Sequence, residues 1–294
     1  MIVKIIIPTY NRLSLLLECL SSAVKQEIEG DYKINILVSD NSTNDETEHY
    51  FRNHFFNNVT YIRRSPPLTS FEHFTKIFKE VESDYFMIFH DDDIMEVGMI
   101  SKLISQFSPA TVAVAGNAYL LKNNIRTNKL VTRSFNPNNT IVTKKELLSL
   151  YLTENKKFAF PGYLYRSSAA KIELDSYFGK YWDVPFLSKV IEKGSITYLN
   201  EPLYYYRQHE GQDSAASDLI SKFHLLNFIL NECGYLRKDK IIVSYRLQNI
   251  YYELWSRRAA GEEIMFPELF RFAKLCAKNN NYIILLKIIK NFIF

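Results

Sequence analysis

Short apolar runs alternate with amphipathic stretches along the amino-terminal part of the chain, and this alternation limits the fold more than any other feature. Residues 2–7 are apolar and β-branched except for Lys4 and are stopped by Pro8, as in a strand buried on both faces. Residues 13–24 follow at helical spacing, 34–39 read as a second strand, and 44–55 as a second helix opened by polar caps. A third strand (59–63), a third helix (71–81) and a fourth strand (85–89) complete the series. Alternation of this period predicts βαβ units, and hence an α/β fold with a mainly parallel sheet and helices on both faces. Ligands on such sheets bind at the carboxyl ends of the strands.

Further along, residues 117–139 are polar, rich in Asn and interrupted by Pro137, which predicts an irregular loop. The pattern resumes with a helix over 143–152, a strand around 158–166, a helix over 184–193 and strands at 195–199 and 203–207. Beyond Ala215 only helix is expected, dividing the chain into residues 1–215 and a helical region, 216–294.

Composition narrows the function. The 294 residues are 47% hydrophobic and 15% aromatic, enough for a sizeable core, so a linker or disordered tail is excluded. The 36 basic and 32 acidic residues leave a net charge of +4, which carries no global polyanion signal and argues against a nucleic-acid partner. The 3 cysteines are far apart, which speaks against a disulfide framework or zinc ribbon and for a reducing compartment. The apolar start is cut short by Pro8 and Asn11, so no signal peptide is expected. No uncharged apolar run approaches the roughly 18 residues of a spanning helix.

Three polar clusters fall at strand ends: Pro8-Thr9-Tyr10-Asn11-Arg12, the stretch from Asp40 to Asp45, and Asp91-Asp92-Asp93. Loops are often polar, but three clusters at one sheet edge predict a single site. Three adjacent carboxylates repel one another unless something positive neutralises them. A hard divalent cation such as Mg²⁺ or Mn²⁺ does so through oxygen ligands. The alternative is an acidic turn capping a helix that starts near Glu96.

These motifs resemble family 2 glycosyltransferases of the GT-A fold. The resemblance rests on Ile5 to Arg12, on Val38-Ser39-Asp40-Asn41-Ser42 and on Phe89-His90-Asp91-Asp92-Asp93. Later, Asp183-Val184-Pro185-Phe186 and the stretch from Pro202 to Ser214 resemble the family's carboxyl-terminal half. It covers residues 1–215 and implies a nucleotide-sugar-binding sandwich and a metal-dependent, inverting sugar transfer. Pro8, Thr9, Tyr10 and Arg12 would border the donor nucleotide. Asp40, beside Ser42, would accept a hydrogen bond from the base, and Asp91 would lie by the ribose and diphosphate. Asp92 and Asp93 would bind Mn²⁺ or Mg²⁺, with either Asp91-x-Asp93 or Asp92-Asp93 as the working pair, because His90 stands where the family's pattern has an acid. His209 would complete the metal shell, and Asp183 would be the catalytic base. Asp183 also suits a helix cap ahead of Pro185.

Phe160-Pro161-Gly162-Tyr163 is a turn flanked by rings, and Tyr163 and Trp182 are candidates to stack on an acceptor sugar; an ordinary turn among core aromatics is the other reading. His73 falls where the family often has a polar donor-binding residue. After Glu268 the chain has no acidic residue, while Arg271, Lys274, Lys278, Lys287 and Lys290 alternate with apolar side chains. Such an end suits an anionic membrane interface, or equally helix packing or a subunit contact. With such an end, the resemblance implies transfer to a lipid-linked glycan, such as an O-antigen or capsule repeat, on the cytoplasmic side of a bacterial membrane. A non-catalytic sugar-binding scaffold with the same fold and a nucleotidyltransferase are the alternatives. The second lacks the expected Gly-rich phosphate loop.

Overall fold

The computed structural model describes residues 1–27, 30–133, 139–153, 157–209 and 219–293. Its strands are β1 (Ile2–Thr9), β2 (Lys33–Asp40), β3 (Val59–Arg63), β4 (Tyr85–Ile88), β5 (Ile94–Met95), β6 (Thr111–Lys122), β7 (Ile125–Leu130), β8 (Asn139–Ile141), β9 (Tyr163–Arg166) and β10 (Ser195–Gln208). The helices of the same region are α1 (Leu13–Ala23), α2 (Glu46–Asn53), α3 (Ser70–Lys79), α4 (Met99–Ile104), α5 (Lys144–Tyr151), α6 (Ser167–Ala170) and α7 (Asp183–Val190). Helices α8 (Leu219–Cys233), α9 (Lys240–Ala259), α10 (Phe266–Lys278) and α11 (Tyr282–Ile288) follow.

All the strands join one sheet, ordered β3-β2-β1-β4-β9-β6-β10-β5, with β7 beside β6 and β8 beside β10. The first four run parallel, as their apolar runs predict. Alternate residues explain why both faces are covered. Ile6, Leu37, Phe86 and Ile88 point into one core layer with α3 and α7, while Ile5, Ile7, Val38 and Met87 point into the other with α1 and α4. Capping boxes fix the starts of α3 (Thr69 with Glu72) and α5 (Thr143 with Glu146).

Three expectations change. Residues 117–133 are not an irregular loop: β6 and β7 form a hairpin joined by Asn123 and Asn124, both at positive φ (50° and 60°). Two left-handed central residues make a tight hairpin turn, and Asn tolerates that conformation better than most residues, so the polarity marked a turn. The strands expected at 195–199 and 203–207 are a single strand, because register shifts around Pro202 absorb the proline's missing donor. Strand β9 runs antiparallel between β4 and β6, so the sheet is mixed at its centre.

The boundary expected at 215/216 lies outside the described residues. Helix α8 packs Leu225 and Ile229 against Leu148, Leu152 and Val184 of α5 and α7, so it shares a core with the sheet domain. Helices α9, α10 and α11 bury Leu247, Leu254, Leu269, Phe272 and Ile288 in a cluster of their own. Among the described residues no helix is long and apolar enough to cross a membrane.

Strand β9 starts at a close crossing. A Cβ on Gly162 would sit 2.7 Å from the backbone oxygen of Gly116, which cannot yield as a side chain can. Gly162→Ala is therefore expected to cost about 1–3 kcal/mol, read from the urea unfolding midpoint.

Candidate active site

The loops that follow β1 and β2 are fastened together by Asn11. Its backbone N–H donates to Ser42 Oγ (2.8 Å), its side-chain oxygen accepts from the Thr43 N–H (2.9 Å), and its amide donates to Thr43 Oγ1 (2.9 Å). A positive φ of 53° makes this reach possible. Tyr10, beside it, is 51% exposed and offers an open ring face at the sheet edge.

Asp40 ends β2 with no exposed surface. Its Oδ1 accepts from the Ser42 N–H (2.9 Å), and its Oδ2 accepts from Tyr61 Oη (2.6 Å) and Arg63 Nη1 (2.8 Å). Burial alone would raise its pKa, but the bonds from Ser42, Tyr61 and Arg63 outweigh it and hold the pKa below the usual carboxylate value. This is the carboxylate that, by the resemblance, would accept a hydrogen bond from the donor base; three donors of the chain already hold it in place. His73 is also not at the surface: it is 5% exposed beneath β2, with Nε2 2.7 Å from Ser39 Oγ. Burial, reinforced by Arg64, lowers its pKa to about 4, so it packs as a neutral ring.

The acidic triplet follows β4 and is buried: Asp91 is 4%, Asp92 7% and Asp93 1% exposed. Thr9 Oγ1 donates to Asp91 Oδ2 at 2.7 Å. Arg12 Nη1 lies 3.5 Å from Asp91 and 3.6 Å from Asp92, which brings the first and third polar clusters together as expected. His209 Nε2 is 2.9 Å from Asp92 Oδ2. Burial raises the pKa of Asp91 to about 6, against the bond from Thr9. Burial and the charge of Asp92 also push Asp93 well up. This triplet does not cap a helix near Glu96, since α4 begins only at Met99, behind Gly98.

Two observations test whether these residues suit a cation. Asp93 Oδ2 is buried and has no hydrogen-bond partner among the described residues. Ligand atoms of His90, Asp92 and Asp93 lie within 4.8 Å of one another. An unsatisfied carboxylate oxygen facing a compact set of donors fits a divalent ion. His90 enters where the sequence pattern suggested only a missing acid. Its position at the end of a buried strand, one residue before the triplet, was the available signal.

Asp183 opens α7 as its first residue; Trp182 takes the cap position, so the capping role expected of Asp183 does not hold. The residue is half-buried, and burial of its carboxyl raises the pKa to about 6, with Lys157 and the N–H groups of Val184 and Asp183 opposing. Its charge in turn adds to the burial that raises Tyr151 and Tyr165, so both phenols lie near it. Phe160 lies between His90, which precedes the acidic motif, and Trp182, which precedes Asp183. Its ring centroid is 6.3 Å from that of His90 and 5.2 Å from that of Trp182.

The acceptor-stacking expectation fails for Tyr163. Its ring is 1% exposed, stacks on Tyr165 and bonds to Tyr198 Oη at 2.9 Å. Trp182 is 8% exposed and enclosed by Phe74, Phe78, Phe160 and Phe186, so its faces are taken as well. Both are core aromatics, and the half-buried Phe160 is the ring of that turn nearest the motif.

A parallel nucleotide-binding half, an antiparallel strand inserted at its centre and an acidic cluster at the carboxyl edge define a GT-A enzyme. The chain belongs to glycosyl transferase family 2, whose family model matches residues 4–178, and it is a glycosyltransferase. That match ends before Asp183 and His209. Among solved structures it is similar to S. aureus TarS 1-349 in complex with UDP-GlcNAc, with 15% identity and a TM-score of 0.62 over 95% of this chain and 80% of that one. It is also similar to the mannosyltransferase PcManGT from Pyrobaculum calidifontis in complex with GDP-Man and Mn²⁺, with 13% identity and a TM-score of 0.53 over 97% and 85% of the two chains. At such coverage the likeness of fold extends into the helical region. No curated protein matches the chain by sequence.

Tyr163→Phe is expected to cost about 1–2 kcal/mol in chemical denaturation, because Tyr198 loses its buried partner. The same variant should leave the acceptor KM unchanged, since this ring does not meet solvent.

Proposed function

We propose that the protein transfers a sugar, with inversion, from a nucleotide-sugar donor to a hydroxyl of a lipid-linked bacterial surface glycan. The observation that carries this reading is the carboxylate–imidazole cluster of His90, Asp92 and Asp93, linked through the ring contacts of Phe160 with His90 and Trp182 to the start of α7, where Asp183 has its pKa raised to about 6. Tyr10 and Arg12 border the nucleotide, and Arg12 also faces its diphosphate. Asp92, Asp93, His90 and His209 would hold a divalent ion, which would supply Lewis-acid stabilisation of the charge on the nucleoside diphosphate. Imidazole donors favour Mn²⁺ over Mg²⁺, whose preference is for oxygen. Asp183 takes the proton of the acceptor hydroxyl as that oxygen attacks the anomeric carbon. The bond to the diphosphate breaks, and a single displacement on the opposite face inverts the configuration. A base with a pKa of about 6 is ionised at neutral pH yet still basic enough for the task. The solved structures with UDP-GlcNAc and with GDP-Man and Mn²⁺ support this donor class.

The lipid-linked acceptor is supported by α10. Phe266, Phe270, Lys274 and Lys278 recur every four residues and are exposed, with Phe266 68% and Phe270 60% open. On α11, Ile283 and Leu286 are 71% and 65% open. Apolar side chains beside lysines suit the interface of an anionic membrane, which supports a peripheral position on the cytoplasmic face.

Asp183→Asn should abolish transfer while retaining nucleotide binding by calorimetry. Only ionised Asp183 accepts a proton, so the wild-type rate should fall about tenfold per pH unit below its pKa. Unchanged transfer by the variant removes Asp183 as the base and favours a different catalytic group. Lys274→Glu with Lys278→Glu should reduce sedimentation with phosphatidylglycerol vesicles. If it splits a dimer instead, the helical face is a subunit contact.

A further inference from the structure

Strand β10 reaches the metal motif through more than His209. Arg207 stands two residues earlier, with its side chain only 4% exposed. Its backbone N–H donates to Asp93 Oδ1 at 2.9 Å, and its Nε donates to the backbone oxygen of Asp92 at 2.7 Å. Its remaining nitrogens are anchored away from the motif. Nη2 donates to Glu18 Oε2 on α1 at 2.6 Å, and Nη1 donates to Asn124 Oδ1. Asn124 is the second left-handed residue of the β6–β7 turn, so the hairpin's geometry decides where that oxygen stands.

Each contact constrains the acids. With Oδ1 of Asp93 taken by the Arg207 N–H, its Oδ2 is left as the oxygen without a partner. The bond from Nε fixes the peptide that joins Asp92 to Asp93, and with it the spacing of the two carboxylates. A guanidinium is a planar fork with donors in fixed directions, so it can hold three partners from three elements in one relative geometry; an ammonium cannot.

We infer that Arg207 is a positioning residue for the metal centre: it sets the Asp92 and Asp93 carboxylates to receive a divalent cation, with Glu18 and Asn124 holding its guanidinium. This rests on the metal-binding reading above and adds to it a residue that does not touch the ion. The consequence is that the ion's affinity depends on a helix and a hairpin turn outside the acidic motif.

The test titrates Mn²⁺ into the full chain without nucleotide and follows free Mn²⁺ by electron paramagnetic resonance. Arg207→Lys keeps the charge and loses the fork, and should weaken Mn²⁺ binding about tenfold, as removal of groups that orient metal ligands does elsewhere. Asn124→Ala and Glu18→Gln leave Arg207 in place and should weaken it severalfold. The metal-free melting temperature is measured on each variant. A lowered melting temperature with wild-type Mn²⁺ affinity in all three variants overturns the inference, because it leaves Arg207 as a brace of the fold alone. If Arg207→Lys fails to fold, the other two variants decide by the same criterion. Wild-type protein that binds no Mn²⁺ sinks the metal reading itself, and this inference with it.

Discussion

Three neighbouring carboxylates buried at the end of one strand are the constraint on which the rest of the site depends. Burial raises Asp91 and Asp93, and each ionised neighbour raises them further. The fold relieves this from several directions. Thr9 and Arg12 arrive from β1, and Arg207 and His209 arrive from β10, 115 and 117 residues away from Asp92 in sequence. Relief is incomplete, since Asp93 Oδ2 still lacks a partner among the described residues. A site left short of positive charge and of one hydrogen bond is prepared for a cation, and its electrostatics bind the two ends of the sheet domain together.

The sheet makes this convergence possible. Its parallel half delivers the ends of β1, β2 and β4 to one edge, and the antiparallel β9 links that half to β6 and β10. The turn before β9 carries Phe160, whose ring lies between His90 and Trp182. The same crossing therefore sets the distance between the acidic motif and the start of α7, where Asp183 stands. Near Asp183 lie the phenols of Tyr151 and Tyr165, and Tyr163 and Tyr198 bond to each other. Burial raises the pKa of this carboxylate, and the charge of Lys157 and two N–H groups offset it only in part. The aromatic excess of the sequence is thus mostly a core property that acts on the chemistry from below.

Helix α8 and the start of α9, through Ile242, join the sheet domain's packing, whereas the rest of α9 forms an apolar cluster with α10 and α11, and aromatic side chains of α10 stay open. A helix normally turns such residues inward. Phe266 and Phe270 instead stack on each other at the surface, with centroids 6.4 Å apart. Leu269, Phe272 and Cys276 fill the inward face of the same helix. The helix is therefore apolar on two sides for two different reasons.

Much of this was readable in the chain because it rests on local rules. Alternating apolar runs gave the parallel strands, since a strand buried on both faces must be apolar throughout. Polar residues stopped those runs at one edge, and an acidic triplet at a strand end pointed to a cation by charge repulsion alone. Other features depended on partners distant in sequence. Whether Asp40 is open or covered depends on Tyr61 and Arg63 across β3, and whether Tyr163 faces solvent depends on Tyr165 and Tyr198. The roles of His90, Glu18 and Asn124 appear only when α1, the β6–β7 hairpin and β10 meet at the motif. Sequence alone determined which residue types the site would use, because charge and periodicity are properties of short stretches. Tertiary structure decided which of them reach one another, because burial and hydrogen-bond geometry are set by packing between segments that the sequence keeps apart.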